Sequence, residues 1–91
     1  MMETMKTASV LRKFLLERFP LARRRNISDE EDLLEKGIID SLGVLEIVNF
    51  LQQEFSLVVE DDDLTPENFK SVVSIAAFVE RRSQMQQEVS R

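Results

Sequence analysis

The chain contains neither cysteine nor histidine. The first absence excludes disulfides and thiolate metal ligands. The second removes the commonest general base together with the commonest metal ligand. A catalyst built on this sequence would have to use carboxylates, lysines and hydroxyls, and no pair of carboxylates stands at a recognisable catalytic spacing. Long apolar runs are missing as well. None approaches the roughly 20 residues needed to cross a bilayer, and the first ten residues carry Glu3 and Lys6 where a signal peptide would need an apolar stretch. The expectation is a cytoplasmic, non-enzymatic protein without stable membrane insertion.

What is present fits one small domain. Hydrophobic residues make up 43% of 91 residues, enough for a core, and a chain of this length holds one compact unit. The charge is segregated along the chain. Residues 1–28 carry seven Lys/Arg against two Asp/Glu. Residues 29–67 carry one Lys against thirteen Asp/Glu, and residues 68–91 carry four Lys/Arg against two Glu. The middle segment, at -12, attracts basic protein surfaces and repels nucleic acid. Arg23-Arg24-Arg25 lacks the interleaved aromatics of a nucleic-acid site and reads as a solvated run. Asp61-Asp62-Asp63 lacks the alternating ligands, glycine and terminal glutamate of an EF-hand, so no metal site is expected.

Helical spacing dominates the pattern, with no strand signal of useful length and no internal repeat. Val10, Leu11, Phe14, Leu15 and Phe19 make one apolar stripe, stopped at Pro20. Residues 20–40 show no sustained period. They read as an ordered loop pinned by Ile27, Leu33, Leu34, Ile38 and Ile39, with a turn near Asp32–Glu35 and another at Gly37. Asp40 caps a second helix, whose Val44, Ile47, Val48, Leu51 and Phe55 lie at the spacing of a buried face. Thr65-Pro66-Glu67 opens a short helix, with threonine as cap and proline at the first helical position. Ser71 caps a last helix with Phe69, Val72, Ile75, Ala76 and Val79 toward the core, followed by a polar, fraying tail from Ser83. The expected fold is all-α: a four-helix bundle of three main helices and one short one, joined by a long first loop.

The segment Gly37-Ile38-Ile39-Asp40-Ser41-Leu42-Gly43-Val44 resembles the phosphopantetheine attachment site of acyl and peptidyl carrier proteins, where an Asp-Ser-Leu tripeptide opens the second helix. The approach Asp32-Leu33-Leu34-Glu35-Lys36-Gly37, the helix end Phe50-Leu51-Gln52-Gln53-Glu54-Phe55 and the stretch Leu64-Thr65-Pro66-Glu67-Asn68-Phe69 resemble the same family. Together they cover about residues 8–82, so residues 1–91 are expected to be a single carrier domain with an acyl-carrier-like bundle and a polar tail over 83–91.

The resemblance implies 4'-phosphopantetheine, donated by coenzyme A, esterified to Ser41, with Asp40 and Leu42 completing the motif. A helix start suits such an anion, since it offers amides and the positive end of the macrodipole. Ser41 is then expected to be exposed, and Leu42 to pack on the domain or on a visiting enzyme. The resemblance also implies a phosphopantetheinyl transferase, an acyl- or aminoacyl-loading enzyme and downstream transferases as partners. Their basic patches would dock on Glu46, Asn49, Glu54, Glu60 and Asp61 of a monomeric carrier.

Gly43, Gln52 and Gln53 stand where acidic residues are frequent in fatty-acid-synthesis members. This favours a specialised stand-alone carrier, with acyl and aminoacyl cargo, in fatty-acid or secondary-metabolite synthesis, left open. Phe50 reads equally as a partner contact or as core. The alternative function is an unmodified helical interaction module, which would not need the serine.

Overall fold

The computed structural model describes the backbone of residues 2–89 and the side-chain surroundings of residues 6–85; the last two residues of the polar tail lie outside the described residues. Among the described residues five α-helices follow one another: α1 (Met2–Arg18), α2 (Pro20–Arg25), α3 (Ser41–Phe55), α4 (Pro66–Phe69) and α5 (Val72–Val89), with a 3-10 turn at Asp61–Asp63. No strand occurs among the described residues. The three long helices close around one core. Leu11 and Leu15 of α1, Ile47 and Leu51 of α3, and Val72, Ile75, Ala76 and Val79 of α5 are buried, with Phe69 and Phe78 beside them. Val44, Val48 and Phe55, expected on the same face, are half-buried at its edge. Phe50 belongs to the packing: its ring stacks on Phe14 at 4.0 Å between centroids and meets Phe55 edge-on.

Pro20 both stops and starts a helix. It leaves Phe19 extended, with φ -115°, and then occupies the first position of α2, where a missing amide costs nothing. Residues 20–25 are therefore helical and not loop. Six residues with only Ala22 buried are too few to show a period. Asn26 ends α2 in the left-handed conformation, φ 51°.

The rest of the first connection is an ordered loop, as its apolar residues suggested. Ile27, Leu33, Ile38 and Ile39 are buried. Backbone bonds tie the loop to the start of α5: Leu33 N–H donates to the Lys70 carbonyl at 2.6 Å and Val73 N–H to the Asp29 carbonyl at 3.0 Å. The Arg12 guanidinium bonds the Ile27 carbonyl and Asp29 from the α1 side. Asp32 Oδ1 accepts from Glu35 N–H, and Gly37 turns at φ 71°.

The second connection is held by one clamp. Asp63 accepts from Arg82 of α5 through both carboxylate oxygens, each at 2.6 Å, and the Asp63 carbonyl accepts from Asn68. Asp63 is thus a structural residue, set apart from the exposed Glu60, Asp61 and Asp62. Thr65 stands at the N-cap of α4, but its hydroxyl makes no cap bond. Ser71 does cap α5, accepting from Ser74 N–H at 3.1 Å. Helix α5 continues past Ser83 to Val89, where a fraying tail was expected.

Four ion pairs link the charge segments within the fold. Arg12–Asp29, Arg18–Glu46, Arg25–Glu31 and Arg82–Asp63 each join a basic flank to the acidic middle. At Glu31 the Ser28 N–H and the Lys36 ammonium, with Arg25 nearby, hold the carboxyl below the ordinary glutamate range. A depressed pKa adds stability at pH values above the ordinary range, which is lost as pH falls through the lowered value. The urea midpoints of wild type and Glu31→Gln are therefore expected to differ at neutral pH and to converge in acid. For the core, Leu51→Ala is expected to cost about 2–5 kcal/mol by urea unfolding, and Phe55→Ala less, because its ring is half-exposed.

Candidate functional site

The start of α3 is built by local chemistry. Asp40 is extended, with φ -108° and ψ -170°, and its Oδ1 accepts from Gly43 N–H at 2.9 Å. Its carbonyl accepts from Val44 N–H at 2.9 Å. Asp40 therefore takes up two of the first-turn amides, as an N-cap does. Ser41 follows as the first helical residue, exposed to solvent.

Gly43 fixes where this helix starts. It is buried, and a Cβ added there would stand 2.7 Å from Ile39 Cγ2 and 3.0 Å from the Phe19 ring. The glycine lets the first turn of α3 lie directly on the loop and on the end of α1. This corrects the use of Gly43, at a position often acidic in fatty-acid-synthesis members, as a sign of a specialised surface. The signal was in the spacing: Gly43, Ile47 and Leu51 fall four apart on one face, and all three are buried.

Leu42 is 70% exposed and Leu45 55%. Leu42 does not pack on its own domain. Beside Ser41 runs an open groove of about 340 Å³, lined by Val44 and Leu45 of α3, Leu34 of the loop, and Leu64, Thr65, Pro66 and Phe69 from the α4 side. Its walls are almost wholly apolar, and Ser41 stands at its edge.

The five docking candidates divide. Glu46 is engaged by Arg18 Nε of α1. Asn49 is exposed and borders, with Phe14, Phe50 and Gln53, a shallow cleft on the α1 side. Glu54 is exposed near the end of α3. Glu60 and Asp61 are exposed in the following loop, where Glu60 N–H donates to Asp63 Oδ2. Glu46 and Asn49 thus line the same cleft, which Glu54, Glu60 and Asp61 do not border. The Arg18–Glu46 contact, 28 residues apart in sequence, leaves no local signal. Arg23, Arg24 and Arg25 sit exposed in the last turn of α2, with Arg25 4.0 Å from Glu31.

No group of acidic side chains that could hold a metal ion occurs among the described residues. The exposed hydroxyl has neither histidine nor cysteine anywhere in the chain to activate it. It belongs to the first residue of a 15-residue helix, whose end suits a phosphodiester through its first-turn amides and dipole. The helical bundle thus offers an exposed serine at the start of a long helix, beside an apolar groove.

Comparison with known proteins places it more narrowly. The family model described as "Phosphopantetheine attachment site" matches residues 10–79. The chain belongs to this family, the phosphopantetheine-bearing carrier proteins. It is similar to the probable acyl carrier protein PigG of Serratia sp. (strain ATCC 39006), with 33% identity over 55 residues, covering 60% of this chain and 63% of that protein. Family members are carriers and not catalysts, and their cofactor is covalent 4'-phosphopantetheine. No helix among the described residues is long and apolar enough to cross a membrane.

Gly43→Ala tests the packing of the site. At an exposed helical position this change would gain about 1 kcal/mol. Here the added methyl meets Ile39 Cγ2, and overpacking costs about 1–3 kcal/mol. The urea midpoint of Gly43→Ala is expected to fall, whereas a rise would place Gly43 on an open surface.

Proposed function

We propose that Ser41 is the residue that bears the 4'-phosphopantetheine arm, and that residues 1–91 work as one carrier domain for a thioester-linked acyl or aminoacyl intermediate. The observation that carries this reading is the exposed Ser41 hydroxyl at the first position of α3, with Asp40 capping the turn and the apolar groove alongside. Loading forms a bond between Ser41 Oγ and the phosphorus of the phosphopantetheine unit of coenzyme A. It breaks the bond from that phosphorus to adenosine 3',5'-bisphosphate, and the hydroxyl proton passes to a base of the phosphopantetheinyl transferase. Once attached, the arm supplies the thiol that this cysteine-free chain lacks.

Within the carrier, Asp40 holds the first turn so that Ser41 faces solvent. Leu42 offers an apolar contact to the visiting transferase. The groove between α3 and α4 takes the apolar parts of the arm or its cargo. Asn49, Glu54, Glu60 and Asp61 lie toward the margin of any surface centred on Ser41, where rim charges influence encounter more than affinity. Loading and downstream transferases are the further partners, and the reading is of a cytoplasmic monomer. The specialised, stand-alone role now rests on the exposed amides Gln52 and Gln53, since Gly43 is explained by packing.

Incubation of the unmodified protein with coenzyme A and a broad-specificity phosphopantetheinyl transferase tests the reading by intact mass. Wild type is expected to gain one phosphopantetheine. Ser41→Ala is expected to gain none and to keep the wild-type unfolding midpoint within about 0.5 kcal/mol, as surface changes do. A folded wild type that gains nothing from two different transferases would point to the unmodified interaction module.

A further inference from the structure

Any enzyme that reaches the Ser41 hydroxyl must cover the residues around it, and their chemistry differs from that of an acidic carrier face. Helix α3 has 15 residues and only two charges, Glu46 and Glu54. Glu54 lies 13 residues beyond Ser41, about 20 Å along the helix. Asp40, just before Ser41, has its Oδ1 taken up by Gly43 N–H; on α3 itself Glu46 is the one charge before Glu54, and Arg18 Nε lies 2.5 Å from its Oε1. The two side chains are 61% and 42% exposed, and so open a pair adds little to stability. Cancellation of its field does not depend on that stability. An approaching cation meets both charges together, and a dipole decays faster with distance than a lone carboxylate would.

Around this neutral pair the surface is apolar. Leu42 and Leu45 are 70% and 55% exposed, and Leu64, at 38%, continues the patch across the groove. Asn49 follows Leu42 and Leu45 on the same helical face, at the i, i+3, i+7 spacing. Scattered exposed leucines need no explanation, but leucines grouped beside a residue that other proteins must reach mark a contact surface.

We propose that Arg18 silences Glu46, so that the enzyme seated over Ser41 is held by an apolar surface with neutral hydrogen-bonding groups, matched to Leu42, Leu45, Leu64 and Asn49, and not by a basic patch. This rests on Ser41 being the attachment residue. A cluster of lysines and arginines placed over this strip would be desolvated against leucines with no uncancelled acid on α3 to meet before Glu54.

The test is arm transfer from coenzyme A by a broad-specificity phosphopantetheinyl transferase, followed by intact mass as a function of carrier concentration. The proteins are wild type, Leu45→Ser, Glu46→Gln, Arg18→Gln and the Arg18→Gln/Glu46→Gln double variant, each with its thermal unfolding midpoint as a fold control. Leu45→Ser is expected to raise KM about tenfold at unchanged kcat. Glu46→Gln is expected to change kcat/KM by less than about twofold while Arg18 is present, and to raise it about fivefold once Arg18 is glutamine, because a bare carboxylate would then be desolvated against an apolar surface. An equal effect of Glu46→Gln in both backgrounds, or a Leu45→Ser carrier that behaves as wild type, overturns the proposal. A wild type that takes up no arm, or a Ser41→Ala variant that does, overturns the attachment reading and the proposal with it. That failure shows in the wild-type and Ser41→Ala masses alone.

Discussion

The site depends on one close approach. Where α3 begins, its backbone lies against Ile39 and the Phe19 ring with no room for a Cβ at Gly43. Phe19 is held by the extended conformation that Pro20 imposes on it, and Ile39 by a loop whose backbone is bonded to the start of α5. The end of α1 and the loop that precedes α3 thus meet under its first turn. The consequence is functional: Ser41 stands on a turn that cannot shift independently of the core, although its own side chain makes no part of that core. For the attachment proposed at Ser41, such a base would present the same geometry to each enzyme.

Charge plays a different part from the one its sequence distribution implied. A -12 segment between two basic flanks reads as a field for attracting partners. In the folded chain four of those thirteen acids meet the flanks: Arg12, Arg18, Arg25 and Arg82 reach back to Asp29, Glu46, Glu31 and Asp63. Exposed pairs of this kind contribute little each. The Arg82–Asp63 clamp is better placed, with both side chains largely covered, two hydrogen bonds and the Phe78 ring beneath the guanidinium. Beyond the Asp40 cap, the first turns of α3 present exposed leucines and an exposed amide, Leu42, Leu45 and Asn49.

The parts of the molecule that were legible in the sequence are those fixed by local chemistry or by long periods. The caps Asp40 and Ser71, the turn at Gly37 and the buried faces of α1, α3 and α5 follow from residue type and spacing. The ordered loop followed from its apolar residues. Other features were not legible, because they depend on contacts between segments. Helix α2 has six residues and a single buried side chain, so no period could reveal it. The hydroxyl of Thr65 is a plausible cap by type, yet Pro66 and the Asn68–Thr65 backbone bond start α4 without it. Gly43 was misjudged because its neighbours in space were unknown, although its four-residue spacing from Ile47 placed it on the buried face. The Arg18–Glu46 pair joins two helices and has no sequence signature.

The central claim is that Ser41, and no other hydroxyl, carries the arm. The most direct measurement is site-localising tandem mass spectrometry of the protein purified from the cells that make it. The account predicts a phosphopantetheine on the peptide that contains Ser41, with the fragment ions placing it on that residue. A folded protein whose arm sits on another residue, or that never carries one in those cells, would contradict it.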